Sequence, residues 1–530
     1  MEQQVKKGQV ILPTGTGKTY IQIATIVKNM VDKANKGTVG NYVIAAHRII
    51  LCRQLLGRII IEINRCGLNF DILSIGSDRL DGDNDVYRGW LKDKNITALD
   101  CRILSTTSSE EITVFLKQAS ILKRHVVIAS TYHSIETLLP FAEKNPIDTM
   151  LCDEAHTTIG KSFNKSIEKF INFKATQAVY YFTATPKFRG MDRGMHNEKT
   201  YGEVLYWKSL REMVDRMEIV RPKLHFVEYT GNAHQSIRTL ACAIKEAFIW
   251  HRKRIRARTN KGNKNLHLNE KVGAKVLISC NGIPQLLELF NCSWFQDFCK
   301  MENVKVCLFS SKCCAYGDSA TGFKVDVPRK DVYNKMMNLK DEEDAILLHV
   351  NILTEGIDVP AITGVLPLRA LETVSLLQTC GRAARLLKSD RNRIYHKSEP
   401  FINPSSDPEE NKKKMDWLIK PTYNLILFKN VLDTLDTNLM KKILKDMMAA
   451  YEMSYEEMLE EDDFFGDEKD PPDVITNQFT NNFSSFKTLK SEEFKQWEEE
   501  IRLMKVEDAL ADFSEGKEKC DAIIELLTEN

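Results

Sequence analysis

Pro13-Thr14-Gly15-Thr16-Gly17-Lys18-Thr19 lies between a short β-rich run, Gln9–Leu12, and an amphipathic stretch, Tyr20–Val31. Strand, glycine-rich turn and helix, in that order, bring backbone N–H groups together at a helix N-terminus, where they can cradle phosphates. The glycines let the backbone curl, Lys18 is placed to neutralise β/γ-phosphate charge, and the Thr19 hydroxyl is placed to ligate Mg²⁺. Thr14, Gly15, Thr16, Gly17, Lys18 and Thr19 are therefore the candidate nucleotide-binding set. The strict phosphate-loop pattern asks for a glycine where Leu12 stands, so the match fails at its first position.

Outward from this loop, short β-rich runs alternate with longer amphipathic stretches, the pattern of βα units and a parallel sheet. The first half offers strands at Gln9–Leu12, Tyr42–Ala46, Asp71–Ile75, Arg102–Ser105, Val126–Ser130, Thr149–Cys152 and Val179–Phe182, with helices such as Tyr20–Val31 and Glu110–Leu122. A second series opens near Lys223 and continues at Lys275–Ser279, Val304–Phe309, Ala345–His349 and Gly364–Leu366. Two α/β domains are expected, over residues 1–218 and 219–430, followed by a mostly helical extension over 431–530. Its acidic stretch, Tyr451–Val474, reads as a linker or loop, and Ser491–Lys505 and Lys519–Leu527 as amphipathic helices. Arg252–Lys264 holds seven basic residues and no acid, either a footprint for phosphates or a solvated helix end or loop.

The 530-residue length exceeds what one core supports, and 43% hydrophobic with 28% charged residues is an ordinary globular composition. Lys+Arg (74) nearly balance Asp+Glu (73), so any nucleic-acid surface must come from local clustering rather than net charge. No apolar run is long enough to span a bilayer, and Met1–Gln9 lacks the apolar stretch of a secretory signal. The 13 cysteines show no CxxC pair and no zinc-ligand spacing, so reduced thiols in an intracellular compartment are expected.

Asp153-Glu154-Ala155-His156 follows the apolar run Met150–Cys152, which places two carboxylates at the C-terminal end of a strand. That edge of an open α/β sheet is where ligands bind. Asp153 is the candidate Mg²⁺ ligand alongside Thr19, Glu154 the candidate base for an attacking water, and His156 a carrier of a hydrogen bond away from the site. Gln378-Thr379-Cys380-Gly381-Arg382-Ala383-Ala384-Arg385 lies downstream of the strand at Gly364–Leu366. Arg382 and Arg385, three apart on a helix, would project from one face and meet one γ-phosphate, in the manner of an arginine finger.

In order and content these motifs resemble those of superfamily 2 helicases, in particular the DEAH-box DNA helicase and translocase branch with its restriction-enzyme motor subunits and phage or repair helicases. The resemblance covers roughly residues 8 to 390 and adds Ala46-His47-Arg48 through Gln54, Ser130-Thr131-Tyr132, Thr183-Ala184-Thr185-Pro186 and Thr354-Glu355-Gly356-Ile357-Asp358-Val359-Pro360. It implies two tandem RecA-like parallel-sheet domains, ATP and Mg²⁺ as cofactors, and nucleic acid as partner, with DNA favoured over RNA. It also implies that Thr183 and Thr185 couple hydrolysis to the strand, that Arg48, Thr131 and Thr354 contact strand phosphates, and that Gly356 and Asp358 line the ATP cleft. Gln378 would link to the Asp153–His156 box.

The sequence departs from the family in two places. Few residues precede Pro13, so the family's upstream adenine-recognising segment is expected to be shortened, replaced or missing; Thr379 stands where an arginine is frequent. A nuclease-linked motor is a second reading, because Pro472-Asp473 and Glu493-Phe494-Lys495 have the residue types of a metal-dependent nuclease, although the second segment reads as helix. An RNA helicase and an ATP-gated clamp are further readings. The helices after about residue 430 could brace the second domain, feed the strand or dock a protein partner, with bracing as the default expectation.

Overall fold

The computed structural model describes residues 5–76, 101–159, 161–187, 194–229, 237–310, 312–350, 359, 361–369, 371–396, 398–430 and 434–458. Thr354, Gly356, Asp358, Asp473, Glu493, Lys495 and the helices expected in the extension beyond residue 458 lie outside them. Two units are distinguished, the first closing at Lys208 and the second opening at Ser209.

The first unit is a parallel sheet of β1 (Lys6–Ile11), β2 (Asn41–Ala46), β3 (Phe70–Ile75), β4 (Ile103–Ser105), β5 (His125–Thr131), β6 (Thr149–Asp153), β7 (Ala178–Thr183) and β8 (Glu203–Trp207). Their order is β4-β3-β5-β2-β6-β7-β1-β8. Parallel strands covered on both faces need continuous apolar runs, and Tyr42–Ala46 is wholly buried. Helix α1 (Lys18–Asn35) turns Ile23, Ile26 and Met30 inward at helical spacing. The helix Ser109–Ile121 begins where the Ser108 side chain accepts a hydrogen bond from the Glu111 N–H, and it buries Ile112, Phe115, Leu116 and Ala119.

All seven strands expected in this half are present, with shifted ends. β8 was not expected. It is an edge strand paired to β1, and its half-exposed Glu-Val-Leu-Tyr-Trp lacks the apolar continuity of the interior strands.

In the second unit, β9 (Arg221–Tyr229), β10 (Lys275–Ser279), β11 (Lys305–Phe309), β12 (Cys314–Asp318), β13 (Gly322–Lys324), β14 (Ala345–His349), β15 (Gly364–Pro367) and β16 (Thr422–Asn430) form one sheet. Its order is β13-β12-β11-β14-β10-β15-β16-β9. This sheet is mixed rather than purely parallel, because β12 and β13 run antiparallel at one edge. Short connections allow this: neighbouring antiparallel strands need only a turn, whereas parallel ones need a crossover. β16 also went unanticipated. The polar Asn424 breaks its apolar run, yet it is buried and accepts a hydrogen bond from Arg258 Nη1 at 2.8 Å.

That contact bears on the reading of Arg252–Lys264, which lies in the C-terminal half of the 30-residue helix Ile237–Leu266. Arg252 pairs with Glu302 and Asp344, Arg256 with Asp344, and Lys261 with Asp416. Arg254 and Arg258 are buried, the former over the Trp250 ring. Most of this positive charge is thus engaged within the unit. Gly262 lets the same helix approach the Leu418 carbonyl closely, since a Cβ there would stand 2.5 Å from that oxygen.

The extension's first helix, Thr434–Tyr451, belongs to the second unit: Asp446 accepts from the Thr373 hydroxyl at 2.6 Å, and the Tyr451 and Tyr423 hydroxyls share a hydrogen bond. No disulfide joins the described cysteines, and burial pushes the thiols of Cys52, Cys280, Cys307 and Cys380 up to about 12. Among the described residues no helix is long and apolar enough to cross a membrane.

Candidate nucleotide site

The strand order of the first unit gathers distant motifs along one sheet edge. β5, β2, β6, β7 and β1 are successive neighbours. Their C-terminal ends carry, in turn, Thr131, the Ala46–Arg48 segment, Asp153, Thr183 and the phosphate loop. All the first-half motifs therefore meet at the edge where α/β folds bind ligands.

The loop between β1 and α1 is curled at Gly15 (φ 91°) and Gly17 (φ 101°). A side chain would be strained at Gly17, which forms the N-cap of α1 in the left-handed region. The Thr16 hydroxyl donates to the Pro13 carbonyl at 2.7 Å, and Lys18 Nζ donates to the Leu12 carbonyl at 2.9 Å. Leu12, the departure from the strict pattern, is a core residue whose N–H donates to Thr183 O. It closes the sheet instead of entering the loop.

Asp153 closes β6 half-buried, and its Oδ1 accepts from Gln22 Nε2 of α1 at 2.9 Å. Burial, and then the neighbouring Glu154 carboxylate, hold the Asp153 carboxyl above its usual range, against the pull of Lys18. Glu154 has a left-handed backbone (φ 49°), a costly conformation for a non-glycine residue of the kind that collects at functional sites. His156 Nδ1 lies 3.0 Å from the Thr183 hydroxyl and 3.5 Å from Glu154 Oε2, so one buried imidazole touches both the box and the Thr183–Pro186 segment. Thr183 Oγ1 also accepts from the Thr185 N–H at 3.2 Å, while the Thr185 hydroxyl itself has no hydrogen-bond partner among the described residues.

Sequence reasoning passed over two positioning residues here. Gln22 looked like an ordinary helix residue, and Tyr132 like part of a motif. The fully buried Tyr132 donates its hydroxyl to the Asp153 carbonyl at 2.7 Å. Only the polar identity of Gln22, on a helix face otherwise lined by Ile23, Ile26 and Met30, signals a buried partner. Thr131 bonds within its own turn, its hydroxyl meeting Ser134, and Arg48 stands at the N-cap of α2 (Ile49–Arg65).

In the second unit the helix Thr373–Ala383 carries buried Gln378 and Arg382. The expected pairing of Arg382 with Arg385 on one helical face is corrected, because the helix ends at Ala383. Lys420 Nζ donates to the Ala383 and Arg385 carbonyls at 2.6 Å each, and Arg385 bridges to Ile219. Those carbonyls are held by an ammonium and a strand-like bridge rather than by another helical turn.

Thr379 is fully buried and donates to Ser375 O at 2.6 Å. Near Arg382, at the C-terminal edge of the sheet, the Ser279 hydroxyl and His349 Nε2 lie 2.9 Å apart, and Arg369 donates to Val350 O at 2.8 Å. Burial, Arg369 and Arg382 hold the His349 imidazole down to about 3, so it is neutral.

The family model for the type III restriction enzyme res subunit matches residues 1–188. No curated protein sequence matches the chain. Among solved structures, the ATP-dependent Type ISP restriction-modification enzyme LlaBIII bound to DNA aligns over 84% of this chain and 28% of its own, at 18% identity and a TM-score of 0.51. A nuclease-deletion mutant of the Type ISP enzyme LlaGI with a DNA substrate mimic aligns over 84% and 27% respectively, at 18% identity and a TM-score of 0.48. The Mycobacterium smegmatis helicase Lhr bound to ssDNA and AMP-PNP aligns over 84% and 46%, at 12% identity and a TM-score of 0.47. The chain spans little more than a quarter of the length of the two restriction-modification enzymes, and its likeness to the first is one of fold.

Proposed function

On the premise that residues 1–188 are a restriction-type, superfamily 2 helicase domain, we propose that the chain is an ATP-driven motor on nucleic acid, with DNA as the favoured track. One contact carries this reading: the 2.9 Å hydrogen bond from Gln22 to Asp153 locks the box carboxylate to the helix that the phosphate loop starts. The bond brings the loop's helix and the acidic turn to one end of the sheet, as a shared nucleotide site requires.

The residues fit a nucleotide with its metal. Two left-handed glycines open the loop's amides, Thr19 begins the helix beside Lys18, and a carboxyl that burial holds above its usual range gains most from a nearby cation. Thr19 and Asp153 would hold Mg²⁺, which when bound neutralises phosphate charge. Lys18 leaves the Leu12 carbonyl for the β/γ-phosphates, and Glu154 orients and polarises the attacking water. His156 reports the state of Glu154 to Thr183 through their shared contact. By its motif Arg382 would supply charge to a γ-phosphate in the transition state and Gln378 would answer the box, while Arg385, off that helix, is not paired with Arg382 in this role; Gly356 and Asp358, outside the described residues, are assigned to the nucleotide on sequence alone. Arg48, Thr131 and Thr354 contact strand phosphates, which carry no sequence information, so binding should be salt-sensitive and sequence-independent.

The res-subunit match, together with a fold shared with a segment of a larger restriction-modification enzyme, favours one second reading: this motor serves a nuclease assembly. The buried, raised thiols suit a reducing compartment. The test is ATPase rate with single-stranded DNA, duplex DNA and RNA side by side, for the native chain and Glu154→Gln. Stimulation by DNA and its collapse in the variant are expected. Hydrolysis that persists unchanged in Glu154→Gln removes Glu154 from its role, and stimulation by RNA alone overturns the choice of track.

A further inference from the structure

The nucleotide site proposed above leaves one part of its ligand without a partner. Thr14–Thr19 offer hydroxyls, amides and one ammonium, all suited to phosphates and metal. None presents a flat apolar face to a base. The next side chain does. Tyr20 is 64% exposed, more than any other aromatic among the described residues, and stands in the first turn of α1, its N–H donating to the Gly17 carbonyl at 2.8 Å.

The direction of the ring matters more than its exposure. Helical side chains lean toward the helix N-terminus, and here that is the phosphate loop. The Tyr20 ring does lean this way: Cδ2 is 3.8 Å from the position a Cβ on Gly17 would occupy. A nucleotide held by its β- and γ-phosphates on the loop would need a partner for its base beyond those amides, and Tyr20 is the first aromatic side chain after the loop. Most of the side chain faces water, so the ring is accessible to a ligand beside the loop. A single exposed tyrosine is ordinary on a protein surface; this one is set apart by its place one residue beyond Thr19, the hydroxyl proposed for Mg²⁺, and by its lean toward Gly17.

We propose that Tyr20 is the stacking platform for the base of the bound nucleoside triphosphate, an inference that rests on the nucleotide site assigned above. Stacking uses the π-face that every base has, and it tolerates different bases. The platform therefore gives affinity for the nucleoside without choosing adenine, and purine triphosphates other than ATP bind by the same contact.

The experiment is calorimetric titration of the full chain with ATP, GTP and inorganic tripolyphosphate, all with Mg²⁺, for the native protein, Tyr20→Ala and Tyr20→Phe. Tyr20→Ala is expected to weaken ATP and GTP alike by roughly tenfold, in the range of base–aromatic stacking, and to leave tripolyphosphate unchanged. Tyr20→Phe keeps the ring and retains native affinity. An unchanged ratio of ATP to tripolyphosphate affinity in Tyr20→Ala overturns the platform, whether both ligands hold or both weaken. Loss of ATP affinity alone, with GTP unaffected, overturns the base tolerance. A native chain that binds neither ATP nor tripolyphosphate refutes the nucleotide site itself, a result distinct from failure of the platform.

Discussion

Replacing Gln22 by Met tests whether the carboxylate of the Asp153–His156 box is positioned from the phosphate-loop helix. Gln22 is 1% exposed, and its amide is 2.9 Å from Asp153 Oδ1. Methionine keeps nearly the same volume, so the cavity contribution is small and the change is chiefly the loss of one donor. Hydrogen bonds to charged groups contribute about 1.5–3 kcal/mol, and the acceptor here is left half-buried without that partner. If the bond persists into the transition state, where Asp153 is proposed to hold the metal, the loss corresponds to a fall in kcat of about ten- to hundredfold. The half-saturating Mg²⁺ concentration should rise as well. Steady-state ATPase measured across Mg²⁺ concentrations at saturating DNA reads both quantities, and a thermal melt confirms that the variant is folded. A folded Gln22→Met protein whose kcat stays within about twofold of native would show that Asp153 is positioned without α1.

Tyr132→Phe removes only the hydroxyl that donates to the Asp153 carbonyl; it should lower stability by about 1–2 kcal/mol, read as a shifted urea midpoint with unchanged slope. For the His156–Thr183 contact, His156→Ala and Thr183→Val are expected to leave basal ATPase largely intact and to abolish movement in a triplex-displacement assay. Their double-mutant cycle should show a coupling of about 0.5–3 kcal/mol, and strict additivity would mean that the contact transmits nothing. Lys420 supplies a pH dependence. Its burial depresses the ammonium from 10.5 to about 7, so the folded chain binds fewer protons than the unfolded chain between those values. The charged-state penalty is fully present below about pH 7 and is relieved as pH rises toward 10.5, so stability from this group rises with pH. Lys420→Met should therefore flatten the rise in denaturation midpoint between pH 7 and pH 9.5, a window inside that range; an unaltered slope would remove the assignment.

Much of this protein could be read from its residues in order. The phosphate loop and the acidic box are local patterns whose chemistry depends on residue types a few positions apart. Most strands announced themselves because a parallel interior demands continuous apolar runs, as in Tyr42–Ala46. The edge strands β8 and β13 escaped because exposed or half-exposed strands need no such run. What only the tertiary structure decided was which polar groups are buried together. Gln22 and Asp153 are 131 residues apart, and nothing within either segment names the other. The basic run Arg252–Lys264 looks like a surface for phosphates until Glu302, Asp344, Asp416 and Asn424 fold against it. Arg385 shares a helical pattern with Arg382, but a lysine 35 positions later takes the carbonyls on which another turn would have been built. Local sequence determines what each group can do; packing, which brings distant chain segments into a low-dielectric interior, determines which groups must find one another.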